Sequence, residues 1–126
     1  MSPVPRLTFP YDWLLQQVLD GRKSASVLRP GEDNWGTDPR DGVVRVGGVY
    51  DGCDTHGVPR CRLRVTAIRE LRWGDPIPEA LWRAEACGDE AEFRRDHLEW
   101  FANPGPDYRF RAFWFERADL ARDATA

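Results

Sequence analysis

Asp20-Gly21-Arg22-Lys23-Ser24-Ala25-Ser26-Val27-Leu28-Arg29 contains the only lysine of the chain; all the other basic residues among its 18 Lys plus Arg are arginine. Arginine is the stronger choice for surface charge, bidentate phosphate contacts and stacking. A lysine kept in this background suggests a task for a compact amine that can exchange a proton or attack. Chance survival of one lysine is the plain alternative, and what weighs against it is the short Gly/Ser setting. Upstream, Pro10 can occupy a first helical turn, and Tyr11, Leu14, Leu15, Val18 and Leu19 share one face before Gly21 offers a stop. Downstream, Ala25 to Leu28 reads as a short strand closed by Pro30-Gly31. Lys23 is therefore expected just past a helix end, leading into a strand.

The chain has 126 residues, 41% hydrophobic, with six Trp, six Phe and three Tyr, enough for one compact domain spanning 1–126. A formal net charge of −3 and the lack of a long basic run argue against coating duplex DNA by bulk electrostatics, though a local arginine-lined groove stays open. No apolar run approaches the ~18 residues of a membrane span, and Met1 to Arg6 lack a signal-peptide core, so a cytoplasmic protein is expected. Cys53, Cys61 and Cys87 are odd in number and irregularly spaced, which points to free thiols. Cys53, His56 and Cys61 could be drawn as metal ligands, but no second pair completes a set, and no metal or other cofactor is expected.

Glu32 to Gly42 is polar and rich in breakers, hence a long loop. Trp35 within it either folds back on the core or offers a stacking surface to a base. Val43 to Tyr50 alternates around a Gly47-Gly48 break, as in a bulged or bent strand. After a hairpin loop at 52–57, Cys61, Leu63, Val65 and Ala67 alternate with Arg60, Arg62, Arg64 and Thr66. That period of two predicts an inward apolar face and an outer face carrying the three arginines, either as solvated charge or as a substrate-facing surface.

Pro78 can start a helix over Glu79 to Ala86, and Asp89 with Glu92 three residues on forms a capping box for a second helix. Phe93, His97, Trp100 and Phe101 make a helical stripe in which the histidine reads as structural. Tyr108 to Phe115 suggests a last long strand, and Ala121 to Ala126 a frayed tail. This order suits an α+β fold, a small mixed β-barrel with helices packed at one end. There is no Gly-x-Gly-x-x-Gly, no phosphate-binding Gly-Lys-Ser/Thr loop and no Gly-x-Ser-x-Gly elbow.

Gly21-x-Lys23-x-x-Ser26 after an amphipathic helix resembles the signature of the ASCH domain, the activating-signal-cointegrator homology family of PUA-like β-barrels. Gly57-Val58-Pro59-Arg60-Cys61, Ile77-Pro78-Glu79, Ala84 to Asp89, Phe93 to His97 and Glu116-Arg117 are similar to further landmarks, so the resemblance covers nearly the whole chain. It implies a cleft suited to RNA or a nucleoside-like small molecule. In the branch that hydrolyses the acetyl amide of N4-acetylcytidine, the family's lysine, threonine and glutamate map onto Lys23, Ser26 and the stretch Glu85 to Asp89. Cys87 stands at the position favoured for the glutamate, and Glu85 serves only if the helix presents it to the same cleft. Ser26 keeps the hydroxyl without the methyl, and Leu28 stands where many members have arginine, with Arg29 next to it. The implied catalytic set is Lys23, Ser26 and Glu85, with Arg22, Arg29, Trp35, Arg60, Arg62 and Arg64 as binding residues. A single-strand ribonuclease and a non-catalytic RNA- or ligand-binding module are the competing readings.

Overall fold

The computed structural model describes residues 4–35 and 41–119. The element order is β1 (Arg6–Thr8), α1 (Asp12–Leu19), β2 (Ala25–Leu28), β3 (Val49–Cys53), β4 (Pro59–Arg72), α2 (Glu79–Ala84), α3 (Glu90–Leu98) and β5 (Arg109–Arg117). The strands form one sheet in the order β1-β3-β4-β5-β2. Only the β1–β3 pairing is parallel. The sheet is a curled half-barrel flanked by three helices, the expected α+β architecture. Strand β2 is buried on both faces, which is possible only where side chains cover each side of a sheet.

Two apolar clusters do this. One joins Leu15 and Val18 of α1 to Leu28, Tyr50, Leu63, Val65 and Phe113. The other joins Leu81 of α2 and Phe93 of α3 to Ala25, Val27, Leu71 and Phe110. Trp35 folds back into the first cluster, edge-on to Phe9 at 4.6 Å and to Phe113 at 6.0 Å.

Strand β4 departs from its simple alternation. Cys61, Leu63 and Val65 are buried as expected, but Ala67 is exposed, because the pairing with β5 shifts between Val65 and Ala67. One inserted residue reverses the facing of everything beyond it. Ile68 accordingly packs on the α1 side, whereas Leu71 joins the α2–α3 cluster.

Val43 to Tyr50 is not a strand; β3 begins only at Val49. The preceding backbone is pulled into a turn by Tyr50, whose hydroxyl donates to the Val43 carbonyl at 2.6 Å and accepts from the Arg45 N–H at 2.9 Å. A Cβ on Gly48 would lie 2.4 Å from that hydroxyl, so the close approach requires glycine. Tyr11, expected on the inner face of α1, instead caps it and is exposed. Helix α2 stops at Ala84 rather than Ala86. The tail from Ala121 to Ala126 and the loop positions 36–40 lie outside the described residues. Among the described residues, no helix is long and apolar enough to cross a membrane.

Candidate functional site

Two chain turns, 62 residues apart, meet to build the site. Helix α1 ends at Leu19, and Gly21, two residues on, has a φ of +80° in the left-handed region that glycine adopts without strain. The Lys23 N–H then donates back to the Gln17 carbonyl at 3.1 Å, turning the lysine under the helix. Helix α2 ends at Ala84 with Glu85 as its C-cap, followed by Ala86 at φ +63°, a left-handed conformation that costs a non-glycine residue free energy. The Ser24 N–H donates to the Ala84 carbonyl at 2.7 Å and locks the two turns together. The side chains at 23 and 85 are thereby forced against each other.

Lys23 is buried, with 1% of its side chain exposed, and its Nζ donates both to Glu85 Oε1 and, at 2.6 Å, to the Ala25 carbonyl. Glu85 is 5% exposed, and His97 Nε2 lies 2.8 Å from its other oxygen, Oε2. That approach is off the line a hydrogen bond requires, so among the described residues Oε2 has no partner of good geometry. The His97 ring stacks on Phe93 at 4.0 Å, with Nδ1 2.8 Å from the Phe93 carbonyl. Because that oxygen can only accept, Nδ1 carries a proton, and Nε2 is the nitrogen free to exchange one with Glu85. Burial pushes the Glu85 carboxyl up, but the Lys23 charge and the adjacent His97 outweigh it and hold the group down to about 2. Glu85 is thus a buried anion at neutral pH.

This trio opens on a cleft of about 330 Å³. Ser26 and Val27 come from β2, Tyr11, Trp13, Leu14 and Gln17 from the start and body of α1, and Glu92, Asp96 and Trp100 from α3 and its end. Trp35 also reaches the lining, so it serves core and cleft together. Tyr11 and Trp13 stack at 5.9 Å and stand exposed at the mouth. Cys87 lines the cleft, yet burial first, then the Glu85 and Asp96 charges, push its thiol up to about 12, which removes it as a thiolate nucleophile. Burial likewise raises the thiols of Cys53 and of Cys61, the latter to about 11. All three cysteines are buried free thiols.

Of the expected site residues, Lys23, Ser26, Glu85 and Trp35 are brought together, and the arginines are not. Arg22 is exposed and paired with Asp20 at 3.2 Å. Arg29 holds Glu32 and covers the Trp100 ring at 4.7 Å, buttressing a cleft wall without lining the cleft. Arg60, Arg62 and Arg64 do lie on the outer face of β4, but there they pair with Asp54, Asp51 and Glu116 at 3.9, 3.1 and 3.2 Å. The residue assigned too small a role is His97, which is structural through Phe93 and also faces Glu85. Its place in an apolar helical stripe was visible, whereas a partner from another turn is invisible to periodicity. Cys87, Glu92 and Asp96 also bring three potential metal-ligating atoms within 4.8 Å, at the cleft's edge.

A five-stranded half-barrel with one parallel edge pairing, and a lysine–glutamate pair buried beside its cleft, define a small α+β half-barrel class. Among solved structures, the chain is similar to an ASCH domain from Lactobacillus crispatus, with TM-score 0.67 and 18% identity over 84% of this chain and 70% of that one. It is also similar to an Enterococcus faecalis V583 protein bearing the family label DUF984, with TM-score 0.63 and 18% identity over 94% and 82% of the two chains. The chain has an ASCH-like fold. No family model matches the sequence, and no curated protein matches it.

Proposed function

We propose that the cleft binds a pyrimidine-nucleoside-like small molecule and that Lys23, Ser26, Glu85 and His97 hydrolyse an amide carried by it. The observation that carries this reading is the buried Lys23–Glu85 pair opening on an aromatic-walled cleft together with Ser26. Isolating two charges from water costs several kcal/mol per ion, on the order of what a good pair returns, so a buried pair is poorly explained by stability alone. Perturbed ionisable groups in a cleft are the usual mark of chemistry.

The residues divide the labour as follows. A water adds to the amide carbon while its proton passes to Glu85 Oε2, the carboxylate oxygen that faces His97 and not Lys23. The carbonyl oxygen becomes an oxyanion, met by a Lys23 N–H and the Ser26 hydroxyl. The C–N bond then breaks as the proton, relayed between Glu85 and His97, moves to the departing nitrogen. The products are a free amine and a carboxylate, with no proton gained or lost by the protein beyond the acid's own ionisation.

A strand-tracking ribonuclease fits less well, because the three arginines that would follow a phosphate backbone are not among the cleft-lining residues and are already paired. The test is incubation of purified protein with N4-acylated cytidines and, separately, single-stranded RNA, read by mass. Loss of the acyl mass is the expected result. Binding without turnover leaves a non-catalytic module, and shortened RNA replaces this reading with a ribonuclease.

A further inference from the structure

Gln17 Oε1 and Glu85 Oε2 are buried side-chain acceptors on cleft-lining residues; among the described residues Gln17 Oε1 has no hydrogen-bond partner, and Glu85 Oε2 has only the poorly aligned His97 Nε2 at 2.8 Å. An acceptor shut away from water without a donor is costly, so a ligand that supplies N–H groups gains more here than one that brings further acceptors. Glu92 and Asp96 of α3 add two carboxylates to the same lining. Glu92 Oε2 already accepts from the Gly88 N–H at 2.8 Å, while Asp96 receives the Cys87 thiol at 3.7 Å, a weak donor. Against Glu85, Glu92 and Asp96 stand Lys23, already bound to Glu85, and His97; no arginine is among the described lining residues. Trp13, Trp35 and Trp100 add aromatic surface to the lining, with Arg29 over the Trp100 ring at 4.7 Å, and such surface attracts cations and planar rings alike.

We infer that the cleft is built for a planar, N–H-rich ligand that is neutral or cationic and carries no phosphate, with Asp96 and Glu92 setting that preference. The nucleoside form of this inference rests on the function proposed above. It assigns the ligand as the free nucleoside or base with an exocyclic amino group, rather than the nucleotide or a strand. The carboxylates repel a phosphate, Glu92 from a half-buried position and Asp96 from an exposed one.

The experiment is an NMR titration of the intact protein, following the indole N–H signals of Trp13 and Trp100, with benzamidine and benzoate as isosteric probes of opposite charge. Cytidine and cytidine 5′-monophosphate form the second pair. Benzamidine is expected to bind at least about tenfold tighter than benzoate, and cytidine at least about tenfold tighter than its monophosphate, the scale of one charge-assisted contact. Asp96→Asn should shrink both ratios while keeping size and fold. Benzoate binding as well as benzamidine, neither probe moving the indoles, or ratios unchanged in Asp96→Asn would overturn the inference. Preferential benzamidine binding without cytidine binding supports the donor and charge preference and removes the nucleoside reading.

Discussion

The backbone N–H of Ser24 donates to the carbonyl of Ala84 at 2.7 Å, and through this one bond the turn after α1 and the turn after α2 share a fixed geometry. Lys23 and Glu85 flank its two ends, so their contact follows from backbone, not from the flexibility of two long side chains. Preorganisation of this kind is what lets a charge pair act in catalysis without reorganising at the moment of reaction.

Breaking the pair should therefore cost more than an exposed ion pair would. Glu85→Ala leaves a buried ammonium facing only the Ala25 carbonyl and should destabilise the fold by ~3–5 kcal/mol. The double replacement Lys23→Met with Glu85→Leu removes both charges and should recover most of that loss. Urea midpoints of the three proteins give the comparison. A double variant as unstable as Glu85→Ala would mean that the pair is needed for packing and not held for its chemistry.

Acid should expose the same pair. The Glu85 carboxyl is held down to about 2 from an ordinary 4.5 against the pull of burial, by Lys23 and His97. A depressed carboxylate stabilises the fold fully above its unfolded-state value, and that stability is lost as pH falls from about 4.5 through about 2. The wild-type protein should lose more stability across this window than Glu85→Gln, whose amide does not titrate. Parallel pH series of the two denaturation midpoints would show it, and equal slopes would contradict the burial and pairing described for Glu85.

Gly48 is the position where a small change should harm the fold most cheaply. A Cβ there would lie 2.4 Å from the Tyr50 hydroxyl and 2.8 Å from its ring. Gly48→Ala must displace a fully buried tyrosine and its bonds to residues 43 and 45, at ~1–3 kcal/mol. A thermal midpoint within error of wild type would show that the 43–48 turn yields without cost.

Much of this fold was open to local reading, for stated reasons. The α1 stop before Gly21, the β2 strand and the Asp89 N-cap each depend on residues within a turn or two and form as expected, although the Glu92 carboxylate accepts from the Gly88 N–H and not from that of Asp89. The bulge after Val65 was not legible, since Cys61 to Ala67 alternates without a break and only the pairing with β5 inserts the extra residue. Val43 to Tyr50 alternates too, yet the hydroxyl of Tyr50 holds the backbone at 43 and 45, and the strand begins only at Val49. For the site, the lysine, the serine and Trp35 were readable, and the choice of Glu85 over Cys87 needed the chain path from 84 to 86. The arginine face was correctly grouped by alternation, but alternation cannot say which face of a curled sheet borders the cleft.

The last expectation concerns Lys23→Arg in a chain that uses arginine for every other basic side chain. Were Lys23 a surface charge or a phosphate contact, the exchange would be nearly silent, because guanidinium keeps the charge and adds donors. Its buried ammonium instead fits between Glu85 Oε1 and the Ala25 carbonyl, a point-like site into which a planar fork does not pack. Arginine would also carry the N–H that meets the oxyanion away from the position the lysine ammonium gives it. Turnover on the substrate found in the mass screen should fall by at least about 100-fold, the contribution typical of a positioned proton donor or oxyanion partner. Ser26→Ala should cost less, since water can replace a hydroxyl. Ligand affinity and melting temperature, measured on the same samples, separate this from misfolding: a folded Lys23→Arg protein that still binds but does not turn over is the expected result. Full activity in that variant would remove Lys23 from the chemistry and leave the cleft as a binding site.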